Sequence, residues 1–262
     1  MKAKTNGIDT SYELHGKQGA PWLVLSHSLA CSVRMWDPQI AALKGTCRIL
    51  AYDTRGHGAS EAPKGAYSLE MLADDLKGLL DALGVKNPHF CGLSMGGMIG
   101  QTFALKYPGV FKTLMLADTT SRFPVEAWPL WQERIKLAGE KGMQPLVQPT
   151  LERWFTEPFR KSNPDAVAAI AKLIAATPVA GYVGCCYAIP KINLTARLKE
   201  IKAPMLVICG DQDPGTPPAM SQAIRDNAPG SKLVMIPLAA HLSNLEQPAA
   251  FTRAMQEFLA AH

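Results

Sequence analysis

Strand-length apolar runs alternate with amphipathic stretches from Trp22 to Ala117, a pattern that predicts a parallel α/β sheet. Trp22–Ser26, Arg48–Tyr52 and Lys112–Ala117 read as strands, and Pro88–Cys91 reads as the end of another. Such runs are continuously apolar where a strand is buried on both faces. Asn6-Gly7 is a hairpin-turn signal, so the first twenty or so residues are expected to form an antiparallel edge. A helix begins over Asp37–Leu43. Ser68 is placed to cap a second helix that runs to about Leu83 and stops at Gly84. A third spans Met98–Leu105 and is closed by Pro108-Gly109. The pattern then changes. From Ser121 to about Leu194 there is no strand signal, only helical segments broken by Pro124, Pro129, Pro145, Pro149, Pro158, Pro164, Pro178 and Pro190. Strand signals resume at Ala203–Gly210 and Lys232–Pro237, and a last helix runs from Pro248 to about Ala261. The expected organisation is a core of residues 1–120 and 195–262, with a helical cap of residues 121–194 inserted after the sixth strand.

Composition narrows the class without naming a function. The chain has 262 residues, 47% hydrophobic and 19% charged, as expected of a globular protein with one large domain or two small ones. No run reaches membrane-spanning length, and Met1–Gly7 lacks the apolar centre of a signal peptide, so a cytoplasmic location off the membrane is the expectation. None of the six cysteines forms a C-x-x-C pair or joins a cluster with zinc spacing, so all are read as reduced and structural, with no metal site. A net charge of +5 is too mild for a nucleic-acid binder. Its distribution is more informative: the cap holds nine basic and six acidic residues, a net +3 of the +5. A basic cap over a site would favour an anionic small molecule; a solvated helical surface would carry the same lysines.

The chemistry centres on Gly92-Leu93-Ser94-Met95-Gly96-Gly97, a G-x-S-x-G string between a strand and an apolar helix. A serine on such a turn is held in a strained conformation with its hydroxyl exposed, and the glycines leave room for the turn. Two partners follow in the order Ser, acid, His. Asp213 comes just after the run Ala203–Gly210, and His241 just after the strand over Lys232–Pro237. Both fall past the carboxyl ends of strands, where open parallel sheets place their sites. His241 is therefore expected to take the proton of Ser94, with Asp213 orienting the imidazole. Asp211 lies nearer its strand end and is expected to support the turn; Asp118, after the sixth strand, is a minor alternative acid. His27-Ser28-Leu29 follows the strand ending at Ser26, so the amides of Leu29 and Met95 are the expected oxyanion donors. His27 is read as a structural hydrogen-bonder. Asp53-Thr54-Arg55-Gly56-His57-Gly58 lacks both G-x-G-x-x-G and the lysine of a phosphate loop, and is expected to stabilise the loop beside the serine turn.

With these residues in place, the chain resembles the 3-oxoadipate enol-lactone hydrolases of the α/β-hydrolase superfamily. The elbow and the Asp53–Gly58 loop are general to that superfamily. Arg34-Met35-Trp36-Asp37-Pro38-Gln39, Arg153-Trp154-Phe155 and Thr177-Pro178-Val179-Ala180-Gly181-Tyr182 point to the subgroup, and the resemblance covers nearly the whole length. Ala30-Cys31 and Cys185-Cys186 look unusual for it and bear on pocket shape. The resemblance implies an α/β-hydrolase fold with a mostly parallel central sheet and an inserted helical cap. It also implies an unsaturated five-membered lactone with an acetate arm as substrate, formed in bacterial breakdown of protocatechuate or catechol. Opening that lactone needs no metal or organic cofactor. The free carboxylate needs a cation in a partly dry pocket, and an arginine fork suits it best. Arg34 ranks first on sequence, balanced against a structural ion pair; Arg153, Trp131 and Trp154 are the cap's contributions. A carboxylesterase, a perhydrolase or a carbon–carbon hydrolase on the same scaffold shares the triad, and a non-catalytic ligand receptor is the rival of another class. Haloalkane dehalogenases and epoxide hydrolases need aspartate where Ser94 stands.

Overall fold

A computed structural model describes residues 1–262. Eight strands form one sheet: β1 (Lys2–Thr5), β2 (Ile8–His15), β3 (Trp22–Ser26), β4 (Arg48–Tyr52), β5 (His89–Leu93), β6 (Thr113–Ala117), β7 (Met205–Gly210) and β8 (Lys232–Ile236), in the spatial order β1-β2-β4-β3-β5-β6-β7-β8. The Asn6-Gly7 turn, with φ of 41° and 83°, joins β1 to β2 as an antiparallel hairpin. β2 lies antiparallel against β4, and every later pairing is parallel. The central strands β5, β6 and β7 are buried at every position, which is why their sequences are apolar throughout rather than alternating. β8 is an edge strand, and Lys232 and Met235 face solvent.

Three helices of the core matter for the site. α1 (Asp37–Leu43) follows a short 3-10 turn, Val33–Trp36. α2 (Leu69–Ala82) begins as the sequence predicts, with Ser68 Oγ accepting from the Met71 N–H at 3.0 Å. Its buried face runs Leu69, Leu72, Ala73, Leu76, Leu79 and Leu80, the spacing of one helical stripe. α3 (Met95–Lys106) starts three residues earlier than the apolar run suggests, because the serine turn passes into helix without a linker. Ser94 is thereby its N-cap, and the positive end of the helix dipole faces the serine.

Between β6 and β7 the chain leaves the sheet for α4 (Trp128–Lys141), α5 (Gln144–Trp154), α6 (Glu157–Ser162), α7 (Pro164–Ala176) and α8 (Val179–Ala188). The prolines here mostly start helices: Pro129, Pro145, Pro158 and Pro164 each occupy a first-turn position. Pro149 is different, lying inside α5. The two ends of the insertion are clasped together. Leu194 N–H donates to Ser121 O at 2.7 Å, and Phe123 N–H to Ile192 O at 3.3 Å. The core resumes with β7, α9 (Pro218–Asn227), β8, the single turn α10 (Ser243–Glu246) and α11 (Pro248–Ala260). All six cysteines are buried and unpaired, and no single helix is long and apolar enough to cross a membrane.

Candidate active site

The strand order reverses at β3, whose neighbours are β4 on one side and β5 on the other. Loops leaving the carboxyl ends of two such strands diverge and open a crevice, and the site lies there. Ser94 sits at its floor with φ 55° and ψ −114°, a conformation that costs on the order of 1–3 kcal/mol for a residue other than glycine. Packing holds it. Ser94 N–H donates to Ala117 O at 2.9 Å, and Thr119 Oγ1 donates to Ser94 O at 2.7 Å. The turn closes so tightly that a Cβ on Gly92 would overlap the Gly96 backbone, and one on Gly96 would overlap the Ser26 carbonyl. The glycines of G-x-S-x-G are therefore steric requirements of this turn.

Asp213 and His241 converge from the ends of β7 and β8. Asp213 Oδ2 accepts from His241 Nδ1–H at 2.8 Å and from Thr216 Oγ1 at 2.7 Å. Its Oδ1 accepts from Gly215 N–H at 2.7 Å and Thr216 N–H at 3.1 Å. Burial works against the charge of Asp213, but His241 and the Thr216 donors outweigh it and hold the carboxyl below its ordinary value. Burial likewise opposes charge on His241, and the attraction of Asp213 more than offsets it, so that imidazole is raised. Because Nδ1 is engaged by the carboxylate, Nε2 is the ring nitrogen left for chemistry. Ser94 and His241 line one cavity of about 190 Å³.

Asp211 and Asp118 take other places. Asp211 Oδ1 accepts from Ala239 N–H at 3.4 Å and so braces the turn. Asp118, fully buried, accepts from Gly210 N–H at 2.7 Å and Ser243 Oγ at 2.5 Å. It thus links the end of β7 to α10 without bonding His241, and burial together with the nearby Asp213 raises its carboxyl.

Leu29 also lines the cavity, next to Ser28 and Ala30, while Met95 follows Ser94 and is fully buried. Neither the Leu29 nor the Met95 amide has an acceptor within the protein. His27 is buried behind them: its Nδ1–H donates to Ser28 O at 2.7 Å and its Nε2 accepts from Thr54 N–H at 2.9 Å. Burial pushes it down to about 4.

The cap supplies the roof. Trp131, Arg153 and Trp154 all line the cavity, and the Trp154 ring lies 5.9 Å from that of His241. Arg34 corrects the sequence reading. It is absent from the cavity wall, its side chain is 45% exposed, and it pairs with Glu13 and with Asp37, the latter at 3.1 Å. The 3-10 turn over Val33–Trp36 buries Val33, Met35 and Trp36 and so turns Arg34 to the surface. The cavity wall instead includes Arg134, one of the nine basic residues of the cap. It lies one helical turn after Trp131 in α4, with its guanidinium 4.7 Å from that ring. Arg134 and Arg153 both line the cavity and neither has a carboxylate partner within 4 Å; Arg153 donates only to Thr150 Oγ1, at 3.2 Å. Burial, and then the repulsion of Arg134, lowers Arg153 from its ordinary value. The i,i+3 spacing from Trp131 was the available signal for Arg134.

A parallel sheet with a strained serine at its reversal point, an Asp–His pair beside it and two free amides defines an α/β hydrolase. The family model described as the alpha/beta hydrolase fold matches residues 21–248, and the chain belongs to that family. The chain is 37% identical over 249 residues to 3-oxoadipate enol-lactonase 2 of Acinetobacter baylyi, an alignment covering 95% of this chain and 92% of that protein. It is 32% identical over 259 residues to 3-oxoadipate enol-lactonase 1 of the same organism, covering 99% and 96%. The crystal structure of the enol-lactonase from Burkholderia xenovorans LB400 superposes with a TM-score of 0.96 at 38% identity, covering 99% of this chain and all of that one. The resemblance drawn from the sequence strings thus extends over nearly the whole chain.

Proposed function

We propose that the protein is a carboxylic ester hydrolase that opens the ring of 3-oxoadipate enol-lactone to give 3-oxoadipate. Ser94 Oγ attacks the lactone carbonyl while His241 Nε2 takes its proton, and Asp213 stabilises the resulting imidazolium. The amides of Leu29 and Met95 receive the oxyanion, each worth about 2.7–4 kcal/mol of transition-state stabilisation. Collapse of the tetrahedral intermediate breaks the ring C–O bond. The leaving group is an enolate, which takes up a proton and ketonises. Water, deprotonated by His241, then releases the acid from Ser94. The cap sets the substrate: Arg134 and Arg153 hold the free carboxylate, and Trp131 and Trp154 enclose the ring.

The main support is the pair of guanidiniums, without carboxylate partners, in the same cavity as Ser94 and His241. Two like charges in a half-dry pocket repel each other and are poorly solvated, so they favour a ligand that brings an anion. The names and extent of the relatives support the same lactone. The deciding test is hydrolysis of freshly generated 3-oxoadipate enol-lactone beside its methyl ester and a p-nitrophenyl ester, with a Ser94→Ala control. Rapid turnover of the free acid, weak turnover of the methyl ester and an inert control are expected. Turnover of the p-nitrophenyl ester with the lactone untouched would leave a hydrolase but remove the lactone assignment.

A further inference from the structure

Four consecutive amides on the loop after β3 are placed unequally. Ser28 N–H points to Met35 Sδ at 3.2 Å, Ala30 N–H donates to His57 Nε2 at 3.0 Å, and Cys31 N–H donates to Ser28 O at 3.2 Å. Leu29 N–H alone has no acceptor, and Leu29 lines the cavity. The loop is not at rest in this shape: Ala30 has φ 55°, a region that disfavours any side chain. Something outside the loop must hold it.

That support comes from the Asp53–Gly58 segment. His57 is fully buried and offers a lone pair only if neutral, and burial pushes it down to about 3. Its Nδ1–H donates to Arg55 O at 3.1 Å, which fixes the tautomer that leaves Nε2 as acceptor. Asp53 Oδ1 takes the Val33 N–H at 2.9 Å, a second tie to the same loop. The segment is itself anchored. Arg55 makes a buried two-point pair with Asp75 at 2.6 and 2.7 Å. Gly56 lies so close to Gly181 of α8 that a Cβ on either would overlap the other's backbone.

We propose that His57 is a positioning residue for the oxyanion site: by holding the Ala30 amide it keeps the preceding amide, Leu29, aimed at the developing oxyanion. This rests on the reading of Ser94 and Leu29 given above. The test uses the whole chain, p-nitrophenyl acetate as substrate and phenylboronic acid as a mimic of the tetrahedral adduct. His57→Phe keeps a ring but has no acceptor. It is expected to lower kcat about tenfold to a hundredfold with KM little changed, since a misaimed donor loses most of its value. Boronate affinity should fall by the same factor. His57→Gln restores an acceptor and should recover most of both. A folded His57→Phe with wild-type kcat and boronate affinity would overturn the proposal, as would equal losses in boronate affinity and ground-state binding. Should the Phe variant fail to fold, His57→Leu takes its place: it also lacks an acceptor, so its kcat and boronate affinity must fall together relative to His57→Gln, and wild-type values of both in His57→Leu overturn the proposal. A wild type that hydrolyses no ester would count against the hydrolase reading, while boronate binding would still report on the loop.

Discussion

Replacing Arg134 and Arg153 by methionine, singly and together, separates an anion-binding cavity from one that is merely basic. Methionine keeps the apolar stem and removes the charge. Each guanidinium that donates to a substrate carboxylate contributes about 1.5–3 kcal/mol, the range for hydrogen bonds to charged groups. At 1.4 kcal/mol per factor of ten, each single change should lower kcat/KM for the anionic lactone by roughly 10- to 150-fold. The methyl ester and p-nitrophenyl acetate bring no carboxylate, so their kcat/KM should hold or rise. Stability should move the other way from activity. Arg153 is partly buried with only Thr150 Oγ1 as partner and is pushed down by burial and by Arg134, so removing either charge relieves a cost. The assay is the ratio of kcat/KM for the lactone acid to that for its methyl ester, with Tm measured on the same preparations. An unchanged ratio in the double variant would refute the anion-clamp reasoning, whatever happened to the absolute rates. Loss of all activities together would equally refute it, since that would indicate a packing role.

Four further outcomes are expected. Gly96→Ala places a methyl group on the Ser26 carbonyl, so the variant should lose activity and fall in Tm, or fail to fold, which thermal melts and Ser94 labelling by a fluorophosphonate would show. Asp213→Asn leaves shape intact but removes the charge and the acceptor that fix the His241 tautomer, and kcat should drop by about 10⁴; in the wild type, kcat/KM should fall on the acid side with a midpoint above the ordinary imidazole value of about 6.5, because Asp213 raises His241. His27 and His57 are buried neutral, pushed down to about 4 and about 3, below the unfolded value. Their contribution to stability is present above about pH 6.5 and lost as pH falls through that window towards 3, so urea midpoints at pH 7, 5 and 4 should decline, and decline less steeply in His57→Gln.

The chain's own pattern settles much of this protein. Strand-length apolar runs set off by turn signals and alternating with amphipathic helices read as strands buried on both faces, so Trp22–Ser26, Lys112–Ala117 and Ala203–Gly210 announce a parallel sheet without reference to their partners. Gly92 likewise carries its geometry locally, because a Cβ there would overlap the Gly96 and Gly97 backbone of the same turn. The positions of Asp213 and His241 after consecutive strand signals are legible for the same reason: the sheet delivers strand ends to one edge. What the pattern cannot carry is the direction of a side chain on an irregular turn or a cap helix. Arg34 stands only a few residues past Leu29, yet its 3-10 turn buries Val33, Met35 and Trp36 and sends it to Glu13 and Asp37. Arg134 is far from Ser94 in sequence and is brought over it only when α4 and α5 fold back onto the core. Chain proximity therefore fails as a guide wherever a loop can rotate by half a turn. Tertiary packing decided which arginines face the cavity and which buried histidine accepts from the loop after β3, because both depend on contacts between segments that share no local period.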